Sequence, residues 1–195
     1  LHCCTGRNAV VVAPVPVWGK CSPFSGSSMR VLSIDPALRN TGFGVIERLG
    51  REYKALNYGV IKNPPKLLQS GCLVRIREEL HGIIRDFKPD CCAIESVIFV
   101  QSYKTAITMG AARGAAILAA AEHGMEIYEY PPKRVKQAVV GRGAADKQQV
   151  AFMMRALLGL TETPAPDAAD ALAIGLTHFY ENDPNKAMIK EARLV

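Results

Sequence analysis

Two apolar segments of this sequence each end on a carboxylate. The segment RVLSID ends at Asp35, and the segment CCAIE ends at Glu95. An ionised carboxylate is seldom fully buried unless it is paired or bound to a metal ion. The tips of two buried strands are therefore unusual places for these groups, and a cation shared between them would explain both.

A third segment, PAPDAADALAI, supplies two more carboxylates. Asp167 and Asp170 are three residues apart, which places them on one face of a predicted helix. Pro164 and Pro166 precede them, so we expect the pair in the first helical turn, where the helix dipole favours negative charge. Because the segment is apolar from Ala171 onward, this helix must pack on a sheet, and that packing would fix its acidic end in place.

These four carboxylates predict a metal site if the two strands are neighbours. In open α/β sheets, ligands bind beyond the carboxyl ends of the strands. Two bare carboxylates at such a point repel each other, and a divalent cation removes the conflict. Hard oxygen donors favour Mg²⁺ or Mn²⁺ over zinc or copper. Two such ions about 4 Å apart suit phosphodiester hydrolysis, because one activates water and the other stabilises the leaving oxygen.

Each carboxylate also has a simpler explanation when it is taken alone. Asp35 can be a turn residue before Pro36, and Asp167 can be a helix N-cap. Glu95 and Asp170 can be charges that reach solvent. The combination of all four at three predicted element ends is what favours a shared site.

Five strands and four helices are predicted to position these residues. Short links between the first three strands predict an antiparallel meander, and the helix before residues 91–95 predicts a parallel crossover. The sequence therefore indicates an α/β fold with a five-stranded mixed sheet whose first three strands are antiparallel. The predicted strands are residues 30–35, 42–48, 52–61, 91–95 and 125–130. The predicted helices are one that runs from about Leu68 and stops before Pro89, then 104–122, 147–159 and 167–181, with 131–148 as a basic connector.

Length and composition are those of one globular domain. The chain has 195 residues, of which 49% are hydrophobic and 22% charged. We expect residues 1–28 to be a disordered leader or upstream translated sequence, residues 29–182 to be the folded domain, and residues 183–195 to be a tail. The apolar stretch in the leader is broken by Pro14 and Pro16 and is too short to span a bilayer, so no membrane association is expected.

Charge and cysteine usage point to a polyanionic partner and a reducing compartment. The chain has 24 basic and 18 acidic residues, and this excess of positive charge favours a partner such as nucleic acid. The six cysteines form no CxxC pair and the histidines are scattered, so the sequence predicts no zinc site. Free thiols are expected in the cytoplasm, and the side chains of Cys91 and Cys92 should point to opposite faces of their strand.

Five motifs, in this order, resemble those of a RuvC-type Holliday junction resolvase. They are SIDPALRNTGFGVIER, CAIESV, GAARGAAI, RVKQAVVGRGAADKQQV and PDAADALAIGLTH, and they extend over nearly all of residues 29–182. The resemblance implies a ribonuclease H-like fold and a homodimer that cuts four-way DNA junctions by paired symmetric nicks. It also implies dependence on Mg²⁺ or Mn²⁺ and cooperation with a branch-migration motor of the RuvA/RuvB type in recombination and repair.

The resemblance assigns roles to particular residues. The acidic tetrad of catalytic metal ligands falls on Asp35, Glu95, Asp167 and Asp170. Two basic positions that serve DNA binding or catalysis in the family fall on Lys136 and Lys147. The other candidate DNA-binding residues are Lys133, Arg134, Arg142, Arg113 and Phe99.

The sequence departs from the family pattern at two places. Ala37 stands where the family usually has Gly after the DP dipeptide. Residues 98–102 replace the stretch in which the family places Phe followed by a Lys-Asn pair, so Phe99 and Tyr103 are the candidates for the aromatic that wedges at a junction. Arg113 lies near Gly110 and Gly114, and the sequence leaves open whether it faces DNA or a dimer partner.

Other functions remain possible from the sequence. An actin-like ATPase or sugar kinase also begins with an acidic strand end and a hairpin, but it needs a second comparable domain for which this chain has no room. A junction-binding protein without catalytic activity would not need the complete tetrad. A ribonuclease H-fold nuclease that processes RNA is the nearest competitor within the enzyme class.

Overall fold

A five-stranded mixed sheet forms the centre of the protein. The structure is a computed structural model, and it describes residues 28–96 and 102–183. Strand order across the sheet is 3-2-1-4-5; the first three strands pair antiparallel, and the first, fourth and fifth pair in parallel. The predicted fold class is therefore confirmed. The strands are β1 (Ser28–Asp35), β2 (Asn40–Leu49), β3 (Glu52–Lys62), β4 (Cys91–Glu95) and β5 (Glu126–Tyr130).

Five helices are present among the described residues, one more than the sequence predicted. They are α1 (Gln69–Phe87), α2 (Tyr103–Glu122), α3 (Pro132–Val140), α4 (Lys147–Leu157) and α5 (Pro166–Glu181). None of the helices in the described part of the chain is long and apolar enough to cross a bilayer.

Helix α3 corrects the prediction that residues 131–148 form only a connector. It begins with Pro132 at its first position and ends before Gly141, which adopts a left-handed conformation with φ of 80°. Val135 and Val139, four residues apart, are the buried residues of this helix. Lysines and arginines surround these two valines in the sequence, and the helix packs against α4 and α5, contacts that no local pattern shows.

The strands divide the apolar side chains between two cores. Val31 packs in the core beneath α3, α4 and α5, whereas Leu32 packs in the core beneath α1 and α2. Cys91 and Cys92 separate in the same way, as predicted. This alternation decides which helical layer any strand-end side chain will meet.

Helix α5 lies unusually close to strands β1 and β2. A Cβ atom built on Gly175 would lie 2.9 Å from both Ser33 Oγ and Ile46 Cδ1. A Cβ built on Gly42 would lie only 2.0 Å from the carbonyl oxygen of Asp167, at the start of α5. The absence of side chains at these glycines therefore sets how closely the acidic end of α5 approaches the sheet.

Replacement of Gly42 tests whether this approach matters for the fold. Because the new methyl group would overlap backbone atoms of Asp167, we expect Gly42→Ala to lower the free energy of unfolding by about 1–3 kcal/mol, measured by urea denaturation. Gly82→Ala is the control, because no heavy atom lies within 4 Å of a Cβ at this position in α1. It should raise stability by about 0.5–1 kcal/mol. Equal stability of Gly42→Ala and the parent would contradict this account of the packing.

Candidate metal centre

Strands β1 and β4 carry their terminal carboxylates to the same point. Ile34 is aligned with Ile94 in the parallel pair, so Asp35 and Glu95 follow side by side. Because side chains alternate along a strand, Asp35 lies on the same face as Ser33, the residue that meets α5. The two strand ends therefore direct both carboxylates toward α5.

Helix α5 brings the other two carboxylates to these strand ends. It begins at Pro166, so Asp167 lies in the first turn, and Asp170 lies just beyond it rather than within it as predicted. One carboxylate oxygen from each of Asp35, Asp167 and Asp170 lies within 4.8 Å of the others. The Glu95 side chain hydrogen-bonds to Asp35. All four predicted site residues thus meet at one end of the sheet.

Crowding and burial change the acidity of these groups. Burial, followed by repulsion from Asp170 and Asp167, raises the pKa of Asp35 to about 6, although Lys147 opposes the rise. Burial and repulsion from Asp35 raise the pKa of Glu95 to about 8. Burial also raises the pKa of Asp170. Both carboxyls of the Asp35–Glu95 pair are therefore harder to ionise than free carboxyls, and the hydrogen bond that joins them requires a proton on one of the two.

Lys147 is the cation closest to the cluster in the described structure. Its Nζ atom lies 3.3 Å from Asp167 Oδ1 and 3.3 Å from Asp170 Oδ2. Partial burial lowers the pKa of Lys147, but the two aspartates outweigh this effect and raise it. Asp146 caps α4 and forms a capping box with Gln149, which fixes the first residue of α4, Lys147. The cluster is thus partly neutralised by a lysine held at a helix start.

Arg113 supports the backbone at the end of β4. Its Nη2 atom lies 2.5 Å from Glu129 Oε1 on β5, and its Nε donates to the Glu95 carbonyl oxygen at 3.5 Å. The sequence left the orientation of this arginine open. In the structure it joins α2 to the two parallel strands that border the site.

The remaining predicted basic residues lie on α3 and the loop after it. Lys136 is close enough to Asp170 to lower the pKa of that carboxyl. This effect is weaker than those of burial, Lys147 and Asp167. Lys133 and Arg142 are exposed. Arg134 is also exposed and forms an ion pair with Glu181. Of this group, the structure brings only Lys136 to the edge of the carboxylate cluster.

Phe99 and Tyr103 are the two candidates for the aromatic wedge. Phe99 lies outside the described residues. Tyr103 is the first residue of α2, and 92% of its surface is exposed. An exposed tyrosine therefore lies shortly after the β4 strand end that carries Glu95.

Ala37 fits its loop without backbone strain. Its carbonyl accepts a hydrogen bond of 2.6 Å from Thr41 Oγ1. Among the described residues, Lys88 is the one non-glycine residue with positive φ, so Ala37 has a conformation that any L-residue adopts. The methyl group in place of the family's glycine does not distort the backbone.

Sequence reasoning missed the part that Gly42 plays in the site. Gly42 pairs directly with Asp35 in the β1–β2 ladder and faces the start of α5. The signal was present in the short hairpin, since a glycine opposite a strand-terminal carboxylate leaves room for a third element. Its contact with α5 depends on tertiary structure that no local pattern describes.

The donor set fits a hard divalent cation. Carboxylate oxygens from Asp35, Asp167 and Asp170 are within reach of one ion, and Glu95 adjoins them. Such all-oxygen sets suit Mg²⁺ or Mn²⁺. Burial and then mutual repulsion raise the pKa values of Asp35 and Glu95, and a cation would remove the repulsive part of this rise.

Comparison with known proteins gives a consistent family assignment. The family model described as crossover junction endodeoxyribonuclease RuvC matches residues 31–178. The crossover junction endodeoxyribonuclease RuvC of Akkermansia muciniphila is 56% identical over 167 residues, which cover 86% of this chain and 100% of that protein. The same enzyme of Caldicellulosiruptor saccharolyticus is 47% identical over 156 residues, which cover 79% and 94% of the two chains.

Solved structures show the same relationship in three dimensions. Thermus thermophilus RuvC in complex with a Holliday junction substrate superposes with a TM-score of 0.73 at 39% identity, covering 79% of this chain and 95% of that chain. The yeast mitochondrial Holliday junction resolvase Ydc2 shares the fold, with a TM-score of 0.50, 16% identity and coverage of 83% and 84%. The chain therefore belongs to the crossover junction endodeoxyribonuclease RuvC family.

Proposed function

We propose that this protein is a structure-selective endonuclease that resolves four-way DNA junctions by paired symmetric nicks. The observation that carries the proposal is the convergence of Asp35, Glu95, Asp167 and Asp170 at one sheet end. Family membership supports the same reaction, since the relatives are named as crossover junction endodeoxyribonucleases. One structural relative was solved with a Holliday junction substrate.

Mg²⁺ is the proposed cofactor, with two ions for each active site and with Mn²⁺ able to substitute. When bound, such ions activate a water nucleophile and stabilise the leaving oxygen of a phosphodiester. Asp35 would help to hold both ions, because it lies between Glu95 and the two aspartates of α5. The other three carboxylates complete the ligand set.

Lys147 has a second task in this proposal. In the metal-free protein its ammonium balances Asp167 and Asp170. Once cations take over that balance, Lys147 is free to pair with a phosphate of the DNA strand next to the site. A lysine suits this exchange because it is a flexible point charge rather than a fixed planar fork.

The surface that carries α3 is proposed to hold the DNA backbone. Lys133, Lys136 and Arg142 would contact phosphates, and Arg134 would join them by exchanging Glu181 for a phosphate. Such contacts read the shape of a junction rather than its sequence, and they weaken steeply with salt. Arg113 is only 19% exposed and is engaged by Glu129, which favours a supporting role over a phosphate contact.

Paired nicks require two active sites, so we infer a homodimer. Ile107 and Leu118 of α2 are exposed, and they share one helix face with Gly110 and Gly114. Within the described residues, no heavy atom lies within 4 Å of a Cβ built on either glycine. This open small-residue face is the proposed contact between the two copies.

Aromatic contacts with the junction, a protein partner and a cellular location complete the proposal. Phe99 and Tyr103 are the proposed aromatic contacts with the junction, and Tyr103 is well exposed for this task. A branch-migration motor of the RuvA/RuvB type is the proposed partner on DNA. The free thiols of Cys72, Cys91 and Cys92 suit the reducing cytoplasm, which is the proposed location.

Asp35→Asn tests the chemistry and the substrate together. The variant should lose cleavage of a synthetic four-way DNA junction by at least about 10³-fold in Mg²⁺ or Mn²⁺, because a neutral amide cannot replace a carboxylate ligand to both ions. Gel-shift binding of the junction should survive, since this carboxylate contacts no phosphate. Asp86→Asn, which removes an exposed charge on α1, is the matched control.

The parent should cleave the four-way junction and leave duplex DNA and structured RNA intact in the same assay. Preferential cleavage of RNA would support an RNA-processing nuclease. Junction binding without cleavage in either metal would support a binding protein. Wild-type cleavage by Asp35→Asn would contradict the site assignment itself.

Stability of the metal-free protein should fall as pH rises. The pKa of Glu95 is raised from its ordinary 4.5 to about 8, so the folded state holds this proton more tightly than the unfolded state. The raised pKa therefore costs stability progressively between about pH 4.5 and pH 8. Since Asp35 repulsion is part of the cause, Asp35→Asn should recover about 1–3 kcal/mol at pH 8.5 in EDTA, measured by urea denaturation.

Asp86→Asn should follow the parent at every pH in this experiment. Addition of Mg²⁺ should stabilise the parent at pH 8.5 more than it stabilises Asp35→Asn. Parallel pH dependence in the parent and Asp35→Asn would show that the carboxylates do not repel one another as the structure indicates.

A further inference from the structure

A second cluster of metal-ligating side chains lies between α1 and the end of α2. His81 Nδ1 of α1 lies 2.6 Å from His123 Nε2, and the two residues are 42 positions apart in the chain. His81 Nε2 lies 2.6 Å from Glu122 Oε2. Arg77 donates to both oxygens of Glu122, at 2.9 Å and 2.8 Å. These four side chains are called the imidazole cluster below.

The hydrogen bond with Glu122 places a proton on Nε2 of His81. Glu122 is an ionised carboxylate held by a guanidinium, so it only accepts, and His81 Nε2–H must donate to it. In the neutral form of His81, Nδ1 then carries a lone pair that accepts a hydrogen bond from His123 Nε2–H. A carboxylate that orients one imidazole nitrogen and leaves the other free is the arrangement that supports histidine ligands to metals.

We propose that His81 Nδ1 and His123 Nε2 bind a borderline divalent transition metal ion such as Zn²⁺ or Ni²⁺. Binding moves the His123 proton from Nε2 to Nδ1, so both facing nitrogens present lone pairs and no net proton is lost. With metal–nitrogen distances of 2.0–2.1 Å, tetrahedral coordination sets the two nitrogens about 3.3 Å apart. The observed 2.6 Å must therefore open by roughly 0.7 Å, which rotation of partly exposed side chains allows.

Coordination of this ion is completed by solvent. His81 is 26% exposed and Glu122 is 34% exposed at the side chain, so water reaches the cluster. Glu122 does not bind the ion directly, because Arg77 donates hydrogen bonds to both of its oxygens. The site therefore has two protein ligands and should bind the ion reversibly rather than as a permanent structural metal.

The imidazole cluster is independent of the carboxylate centre. It lies at the C-terminal end of α2, whereas the contact of this helix with the end of β4 is made by Arg113, ten residues earlier, and ten helical residues span about 15 Å. Imidazole nitrogens select zinc-class ions, whereas the carboxylates select Mg²⁺. Scattered histidines in the sequence predicted no zinc site, because a pair separated by 42 residues gives no local pattern.

The consequence of binding is a cross-link between two helices. His81 belongs to α1, and His123 caps α2, so one ion ties together the helices that cover one face of the sheet. Since only the folded chain holds these nitrogens in register, the ion should stabilise the folded state. The site would therefore make the stability of the α1–α2 layer sensitive to zinc.

Zn²⁺ binding to the full chain tests this proposal. Isothermal titration is done in saturating Mg²⁺, which occupies the carboxylate centre, and urea denaturation is measured with and without Zn²⁺. The parent should bind one Zn²⁺ that His81→Gln and His123→Gln do not bind, and Zn²⁺ should raise the urea midpoint of the parent but not of these two variants. The metal-free urea midpoints of the variants verify that they fold.

Glu122→Gln and Glu79→Gln form a matched pair of further variants. Both remove one negative charge from the surface of the same helical layer, but Glu79 pairs with Arg75 and is not part of the cluster. Glu122→Gln should weaken Zn²⁺ binding about tenfold through loss of the oriented tautomer, and Glu79→Gln should match the parent. Zn²⁺ binding and Zn²⁺ stabilisation that are identical in the parent and His81→Gln would overturn the proposal, as would their absence in the parent.

Discussion

The close contact between α5 and strands β1 and β2 is the constraint on which the site depends. At Gly42 and Gly175 a side chain would overlap atoms of the opposite element, so the helix lies directly on the sheet. This contact carries Asp167 and Asp170 to the ends of β1 and β4, where Asp35 and Glu95 already lie. Because backbone and core atoms hold all three elements, the carboxylates cannot move apart to relieve their repulsion.

That repulsion lowers the stability of the metal-free protein, and it also favours the binding of a cation. Burial, and after it repulsion among the carboxylates, raises the pKa values of Asp35 and Glu95, so both groups hold a proton more tightly than they would in water. Lys147 offsets part of the negative charge and a proton offsets another part. A divalent cation can replace both. Part of the favourable free energy of ion binding would therefore come from relief of the repulsion among the carboxylates. Functional sites commonly trade stability for activity in this way.

Much of this arrangement could be predicted from the sequence, and the failures have physical causes. The four carboxylates could be predicted because two apolar runs end in carboxylates and two aspartates lie three residues apart. Both patterns are visible in the strand and helix periodicity of the sequence. Helix α3 could not be predicted, since its two buried valines stand among lysines and arginines and the helix packs against α4 and α5, contacts that form only in the folded chain. The His81–His123 contact and the overlap at Gly42 depend on elements distant in sequence, and no local pattern records them.

We infer that the four carboxylates form one divalent metal centre. Anomalous diffraction from crystals of the full chain soaked in Mn²⁺ tests it most directly, because manganese scatters anomalously and has the same oxygen preference as magnesium. We expect manganese in contact with the carboxylates of Asp35 and Asp170 in the parent protein. Saturating Mn²⁺ that leaves these carboxylates without an ion, with Lys147 still bridging Asp167 and Asp170, would contradict the account.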